Sequence, residues 1–319
     1  MSNRIAAIGV DGGTTKTHLA AVDSYGNLLL FNETGSTNAF ETGDIKENFL
    51  SLFAPIRYAE IDVAVFTLAG WDFENDQKKV RAQVEAVLST CSIKIKKSIF
   101  ENDIFAVYHS GIGASVSGVA IASGSGTIGV AVNEKNIFRT TGFGYIAGEW
   151  GAGWEMADHA IHLVCSSLMG REESYPVLTR KAFEYFHAAS FEDLVEKIIY
   201  QRDTTYRGYF LKQVYDAYLQ GCHGAKKVLE KGSNELTKTI AALLKKIPGE
   251  NVPVILGGSV FKTMGLLPGM KDQLKNITGT EHEFRIIQSD PVWGALRWAA
   301  KEGSINTNCI NEKILIAFS

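Results

Sequence analysis

Three short apolar stretches open the chain, at residues 5–10, 17–22 and 27–33, and glycine-containing turns separate them. Short apolar runs bounded by such turns are typical of β-strands, and tight turns favour antiparallel neighbours. The pattern therefore predicts an antiparallel meander of three strands. A second set of three short apolar stretches, at residues 118–122, 127–132 and 136–140, predicts another meander.

Between and after the meanders, stretches with helical periodicity alternate with short apolar runs. Helices are predicted at 44–53, 76–88, 157–168, 191–200, 209–220, 226–246 and 291–300. Further strands are predicted at 63–68, 93–99 and 253–256, and the apolar tail 313–318 is predicted to be an edge strand. This mixture of strands and helices predicts an α/β fold.

The loops inside the two meanders are related. When Asp11-Gly12-Gly13-Thr14-Thr15 is aligned with Ser123-Gly124-Ser125-Gly126-Thr127, two of the five positions are identical. Apolar strands flank both loops at matching distances. An internal duplication is the simplest explanation and predicts two domains with a boundary near residue 115.

Composition and charge exclude several classes of protein. The chain has 319 residues, of which 45% are apolar and 21% charged, so two globular domains are expected. Its net charge is 32 − 35 = −3 without a long basic run, which argues against nucleic acid as a partner. No apolar run of about 18 residues or signal-like start is present, which argues against a membrane span or secretion. The four cysteines form no CxxC pair, so we expect a cytoplasmic protein with reduced thiols.

The first loop has the residues of a phosphate-binding site. The glycines Gly12 and Gly13 allow backbone N–H groups to approach phosphate oxygens, and the side chains of Thr14, Thr15 and Lys16 add donors. Asp11, at the end of the strand, is placed to bind hydrated Mg²⁺ through water. A tight structural hairpin explains the glycines and threonines equally well when the loop is considered alone.

The second loop and a later turn extend this interpretation. Residues 123–127 (Ser123, Gly124, Ser125, Gly126 and Thr127) form a second loop of small and hydroxyl residues, expected to face the first across a cleft and grip the phosphates of ATP. The strand at 253–256 ends in Gly257, Gly258 and Ser259, where glycines allow adenine to lie against the backbone. A helix-packing turn is the alternative for this third element.

Asp103 is the candidate general base. It follows the strand at 93–99 and precedes a short helix, a position typical of catalytic residues. In the functional interpretation, Asp103 removes the proton from an acceptor hydroxyl during phosphoryl transfer. Helix N-capping is the more frequent role of such residues and is the alternative for Asp103 and for Asn102.

Three further loops are candidates for binding a sugar. They supply Asn38 from residues 35–38, Gly70 from residues 69–72, and Gly144, Tyr145 and Glu149 from residues 142–153. Turn chemistry explains the first two loops adequately. The third holds several glycines together with aromatic side chains that are suited to stacking on a sugar ring.

Together these loops resemble the N-acetylglucosamine kinase branch of the BadF/BadG/BcrA/BcrD ATPase family, within the superfamily of sugar kinases, heat-shock ATPases and actin. The resemblance implies two duplicated ribonuclease-H-like (actin-like ATPase) domains, at 1–115 with 291–319 and at 116–290. It also implies an ATP- and Mg²⁺-dependent amino-sugar kinase that acts on the 6-OH and forms a homodimer. In that family the residue matching Asp103 is the base, and those matching Asn38 and the acidic 148–153 segment contact the sugar.

One departure from the family pattern leaves the sugar open. Where the family has Gly-Asp-Glu-Gly-Ser-Gly, this chain has Gly148-Glu149-Trp150-Gly151-Ala152-Gly153. N-acetylglucosamine, glucosamine and N-acetylmuramic acid remain alternatives. The same family includes iron–sulfur activators, which need clustered cysteines, and an actin-like ATPase without a small acceptor is a third alternative.

Overall fold

The computed structural model describes residues 4–38, 45–134, 136–200, 204–247 and 251–318. Within these ranges the chain forms two β-sheets with helices packed on them, as predicted for an α/β fold. The first residue of the helix predicted at 44–53 lies outside the described residues. No helix in the described ranges is long and apolar enough to span a membrane.

The strands in the described ranges include the two predicted meanders, at residues 5–33 and 118–140. They are β1 (Arg4–Gly12), β2 (Lys16–Val22), β3 (Leu28–Gly35), β4 (Glu60–Leu68), β5 (Lys94–Asn102), β6 (Ser117–Ser123), β7 (Thr127–Asn133), β8 (Asn136–Arg139), β9 (Val254–Gly257), β10 (Phe284–Ile287) and β11 (Ile316–Phe318).

The helices lie mostly between the parallel strands and in the segment that follows β8. They are α1 (Lys46–Phe53), α2 (Glu74–Thr90), α3 (Ile104–Gly111), α4 (Gly153–Leu168), α5 (Pro176–Phe186), α6 (Phe191–Tyr200), α7 (Thr204–Tyr209), α8 (Leu211–Leu219), α9 (His223–Leu244), α10 (Ser259–Met264), α11 (Met270–Thr278), α12 (Val292–Glu302) and α13 (Asn308–Asn311).

The two sheets share one plan. The first has the order β3-β2-β1-β4-β5, with β1, β2 and β3 antiparallel and β4 and β5 parallel to β1. The second has the order β8-β7-β6-β9-β10-β11, with the same antiparallel meander followed by the parallel strands β9 and β10. Both predicted meanders are confirmed, and β11 is an edge strand as predicted for the tail.

Chain contacts divide the protein into two compact units, residues 1–115 with 287–318 and residues 116–286. In the first unit, α1 and α2 cover one face of the sheet, where Phe49, Phe53 and Val84 join a buried apolar cluster. The helix α12 covers the opposite face, where Val292 and Leu296 belong to a second cluster. The strands β1, β2 and β4 at the centre of the first sheet are therefore buried on both faces.

The helix predicted at 209–220 is confirmed as α8, and several other helices were not predicted. The short helix α7 ends directly before Phe210, whose side chain is fully buried. The helices α11 and α13 also lie outside the predicted segments. The helix α5 was not predicted, although Pro176 at its first position and Leu178 and Phe186 on its buried face are typical helix signals.

Candidate active site

The first loop is a tight hairpin between β1 and β2. Gly12 pairs with Thr17, and the Gly13 N–H donates to the Lys16 carbonyl at 3.0 Å. Asp11 is half-buried at the end of β1, where it pairs with His18. The predicted phosphate-binding residues 11–17 therefore lie in one turn.

The loop that follows β3 packs directly on this hairpin. The Thr37 N–H donates to the Gly13 carbonyl at 3.3 Å, and the hydroxyls of Thr37 and Thr17 are 2.8 Å apart. The Asn38 amide Nδ2 donates to Thr14 Oγ1 at 3.2 Å. Asn38, predicted to bind a sugar, is therefore in contact with a residue predicted to bind phosphate.

The register of the parallel strands brings three loops to one edge of the first sheet. Gly12 pairs with Leu68, and Leu68 pairs with Asn102, so β1, β4 and β5 end side by side. The Ala69 N–H donates to the Gly12 carbonyl at 2.7 Å. Gly70 and Asp103, which directly follow these strand ends, lie at the edge where ligands bind in open α/β sheets.

Asn102 connects two of these loops. Its Oδ1 accepts the Ile104 N–H at 3.1 Å, and its Nδ2 donates to Asp72 Oδ1 at 3.1 Å. The Asp103 side chain, although it stands at the start of α3, makes no capping hydrogen bond. The capping role considered for both residues in the sequence therefore belongs to Asn102.

The Lys16 side chain forms an ion pair with Glu33 on β3. Its Nζ lies 3.2 Å from Glu33 Oε2 and 4.0 Å from Asp290 Oδ1. His18 Nε2 also lies 2.7 Å from Glu33 Oε2. Hydrogen bonds from His18 and Lys16 hold the pKa of Glu33 below its ordinary value. Glu33 therefore stays ionised and keeps the Lys16 ammonium beside the hairpin.

The second loop is a hairpin between β6 and β7. Ser123 pairs with Thr127, and the Gly124 N–H donates to the Gly126 carbonyl at 2.9 Å. The Ser123 hydroxyl donates to the Gly151 carbonyl at 2.8 Å, which ties the hairpin to the glycine-rich segment. This is the same turn position that residues 11–17 occupy in the first sheet.

The Gly257-Gly258-Ser259 turn lies against this second hairpin. Gly257 at the end of β9 pairs with Ala122 at the end of β6. Gly258 has φ 88°, and a Cβ at this position would overlap the Ser123 backbone. The close approach requires glycine, so the predicted adenosine and phosphate residues of the second unit share one sheet edge.

The glycine-rich segment at 142–153 folds over on itself. The Gly142 N–H donates to the Gly148 carbonyl at 2.8 Å, and the Gly148 N–H donates to the Gly144 carbonyl at 3.1 Å. Tyr145 is exposed, and its ring lies 4.1 Å from the ring of Trp154. The segment therefore presents an aromatic surface beside the start of α4.

Glu149 lies next to the second hairpin. Its Oε2 accepts the Trp154 indole N–H at 2.9 Å. A Cβ on Gly126 would lie 3.0 Å from the Glu149 carboxyl carbon, so this carboxylate packs on the Gly126 backbone. A residue predicted to bind sugar and one predicted to bind phosphate are again in contact.

Two further groups, on β5 and α4, have pKa values shifted by burial. Burial raises the pKa of Glu101, which precedes Asn102 on β5. Burial lowers the pKa of His159 on α4 to about 4. Across the described ranges, no group of three or more His, Cys, Asp or Glu side chains is arranged to hold a metal ion.

Two residues of this arrangement were missed in the sequence. Asp72 belongs to the loop 69–72, from which only Gly70 was predicted to contact a sugar, and the available signal was a carboxylate in a loop that follows a strand. Trp154 gave no signal, because its contact with Glu149 depends on how α4 packs. Both are in direct hydrogen-bond contact with predicted sugar-binding residues.

The chain is similar to a known family and to curated proteins along most of its length. The model of the BadF/BadG/BcrA/BcrD ATPase family matches residues 8–299. An N-acetylmuramic acid/N-acetylglucosamine kinase from Clostridium acetobutylicum is 24% identical over 308 residues, covering 92% of this chain and 98% of that protein.

Two solved structures resemble this chain in fold. One is a candidate N-acetylglucosamine kinase from Chromobacterium violaceum, with a TM-score of 0.70, 19% identity, and coverage of 92% of this chain and 98% of the other. The second is a ROK family glucokinase from Streptomyces griseus in complex with glucose and AMPPNP, with a TM-score of 0.56, 15% identity, and coverage of 93% and 98%. The chain therefore shares the duplicated α/β fold of these proteins, and the predicted fold class is confirmed.

Proposed function

The chain belongs to the BadF/BadG/BcrA/BcrD ATPase family, and on that premise we propose that it is an ATP-dependent kinase of an amino sugar. The observation that carries the proposal is the edge of the first sheet, where Asn102 joins Asp72 and the start of the helix after Asp103. A hydroxyl acceptor needs a base and hydrogen-bond acceptors in one place. The name of the Clostridium acetobutylicum relative supports the same activity.

The two hairpins bind the phosphates of ATP. Backbone N–H groups at Gly12, Gly13, Gly124 and Gly126 supply donors, as do the hydroxyls of Thr14, Thr15, Ser125 and Thr127 and the Lys16 ammonium. The adenosine lies on the Gly257-Gly258-Ser259 turn, where no side chain projects from the two glycines.

Asp11 holds Mg²⁺ through water. Its half-buried carboxylate at the end of β1 lies beside the first hairpin, and carboxylate oxygens with waters are the usual Mg²⁺ ligands in phosphate sites. The ion neutralises charge on the phosphate oxygens when it is bound.

Asp103 is the general base. The acceptor hydroxyl oxygen forms a bond with the γ-phosphorus while the bond from that phosphorus to the β-phosphate oxygen breaks, and the hydroxyl proton passes to Asp103. The sugar is positioned by Asn38, Gly70, Asp72, Asn102, Gly144, Tyr145 and Glu149. ADP and a sugar phosphate are the products.

N-acetylglucosamine is the proposed acceptor, phosphorylated on its 6-OH. The activity in the name of the curated relative includes this sugar. An enzyme that consumes ATP and keeps four unpaired cysteines fits the cytoplasm, and we expect it to act there as a homodimer.

The test is ADP formation with Mg²⁺ across N-acetylglucosamine, glucosamine, N-acetylmuramic acid, N-acetylmannosamine and glucose. The Asp103→Asn variant is expected to lose at least about a hundredfold in kcat, within the range for loss of a general base, with ATP binding unchanged. Asp272→Asn, an exposed position on α11, is the matched control. ADP release that no sugar accelerates would reject the kinase, and normal turnover in Asp103→Asn would reject the assigned base.

A further inference from the structure

The indole of Trp154 forms a hydrogen bond with the carboxylate of Glu149. The distance from Trp154 Nε1 to Glu149 Oε2 is 2.9 Å, and Trp154 is only 9% exposed. A bond from a buried donor to a charged acceptor is stronger than one between neutral groups. The contact therefore fixes the position of the carboxylate more firmly than a solvent-exposed pair would.

Trp154 is itself held from two sides. It lies in the first turn of α4, where the Gly153 N–H donates to the Gly124 carbonyl at 2.8 Å and the Trp154 N–H approaches the Ser125 carbonyl at 3.5 Å. Its ring packs against the ring of Tyr145, with the centroids 4.1 Å apart. The backbone contacts of Gly153 and Trp154 with the second hairpin therefore hold the indole ring beside that hairpin.

The hydrogen bond from Trp154 holds the Glu149 carboxylate over the backbone of Gly126. A Cβ added to Gly126 would lie 3.0 Å from Oε1 and from the carboxyl carbon of Glu149, and 3.1 Å from Oε2. The second hairpin is the proposed phosphate-binding loop. An anionic side chain beside such a loop would turn away from bound phosphate unless another group held it in place.

A neutral hydrogen-bond donor is suited to holding the Glu149 carboxylate in place. A lysine or arginine at the position of Trp154 would also fix the carboxylate, but its positive charge would offset the negative charge. The indole N–H donates without carrying a charge and has no acceptor group. The carboxylate therefore keeps its capacity to accept hydrogen bonds from a ligand.

We propose that Trp154 is a positioning residue that orients the Glu149 carboxylate towards the sugar. The inference rests on the proposed amino-sugar kinase activity and deepens it, because it explains how the longer glutamate at 149 is held beside the phosphate loop. Trp154 acts through Glu149 and does not itself touch the reacting atoms.

The test is a double-mutant cycle with Trp154→Phe, Glu149→Gln and the double variant. Phenylalanine keeps an aromatic ring against Tyr145 but removes the donor. We expect Trp154→Phe to raise the KM for the sugar about tenfold, which corresponds to a single charge-assisted hydrogen bond, with the KM for ATP changed less than about twofold. In the Glu149→Gln background the same substitution is expected to change the sugar KM by less than about twofold.

The matched control is Trp298→Phe, which removes an indole N–H that lies 3.4 Å from the Glu302 carboxylate in the first unit. It is expected to leave both KM values unchanged. Independent, multiplicative losses in the cycle, or equal increases in the KM values for sugar and ATP, would overturn the proposal. Wild-type protein without sugar-dependent ADP formation would instead overturn the proposed function, so the two failures are distinguishable.

Discussion

At the scale of single residues, the sugar-binding role predicted for Asn102 extends to Asp72, to which Asn102 is hydrogen-bonded. Both polar atoms of the Asn102 amide have partners within the protein, since Oδ1 accepts the Ile104 N–H and Nδ2 donates to Asp72. Asn102 therefore fixes the start of α3 and orients Asp72. The carboxylate oxygens of Asp72 are suited to accept hydrogen bonds from sugar hydroxyls at this sheet edge.

We therefore predict that Asp72→Asn raises the sugar KM about tenfold, because a charged acceptor for a sugar hydroxyl becomes a neutral one. The KM for ATP is expected to stay within about twofold, since Asp72 lies outside both hairpins. Steady-state kinetics with the sugar and ATP varied separately measure the two values. Asp76→Asn, four residues further along in the first turn of α2, is the control. An unchanged sugar KM in Asp72→Asn would remove this residue from the site.

At the scale of elements, the meanders could be predicted because short apolar runs alternate with short turns, most of which contain glycine. The strand β10 could not, because Arg285 interrupts its apolar run, whereas β9, also of four residues, has no charged residue. The helix α7 could not be predicted either, because its six residues hold too few apolar positions to show a helical period.

In the candidate site, too, some residues could be predicted from the sequence and their contacts could not. The turns at 11–17, 123–127 and 257–259 could be located from the sequence because glycines mark the ends of their strands, while their role in binding ATP stays a prediction. The partners of those residues could not be identified. The Lys16–Glu33 pair depends on the β2–β3 register, and the Trp154–Glu149 bond depends on the packing of α4. Such contacts are set by tertiary structure and leave no local pattern.

The turn after β9 gives a prediction at this scale. Gly258→Ala would combine a positive φ with overlap between its Cβ and the Ser123 backbone, so we expect the second hairpin to shift and the KM for ATP to rise at least about tenfold. Gly265→Ala is the matched control, because it also has a positive φ, 68°, but no atom within 4 Å of the added Cβ. The control is expected to lose about 1 kcal/mol of stability from backbone strain alone and to keep its KM for ATP.

Denaturant titrations provide the stability measurement, and initial rates provide the KM. Equal KM values for ATP in the two variants would show that the contact between Gly258 and Ser123 does not support the nucleotide site.

At the scale of the whole molecule, His109 links stability to pH. Its ring lies 4.3 Å from the ring of Trp298, and burial together with the nearby positive charges of Lys301 and Arg297 lowers its pKa to about 3. The unfolded chain binds a proton at His109 near pH 6.5, whereas the folded protein does not. The stabilisation is therefore complete above pH 6.5 and is lost progressively as the pH falls towards 3.

We predict that the free energy of unfolding falls on acidification below pH 6.5, with His109 contributing at most about 1.4 kcal/mol per pH unit. His109→Phe keeps a ring against Trp298 and removes this contribution, so its stability should depend less steeply on pH between 6.5 and 5. Urea denaturation at several pH values measures both slopes. Parallel curves for the two proteins would contradict the assignment, and His159, present in both, cancels from the comparison.

The division of the chain into units also sets an order of events during synthesis. The second unit is almost continuous, at residues 116–286, while the first needs residues 287–318 in addition to 1–115. The helix α12, which covers one face of the first sheet with Val292 and Leu296, is therefore synthesised after the whole of the second unit. Domains fold as units during translation. The first unit is therefore completed only after the second, and its alanine- and valine-rich face stays uncovered until residues 287–318 have been synthesised.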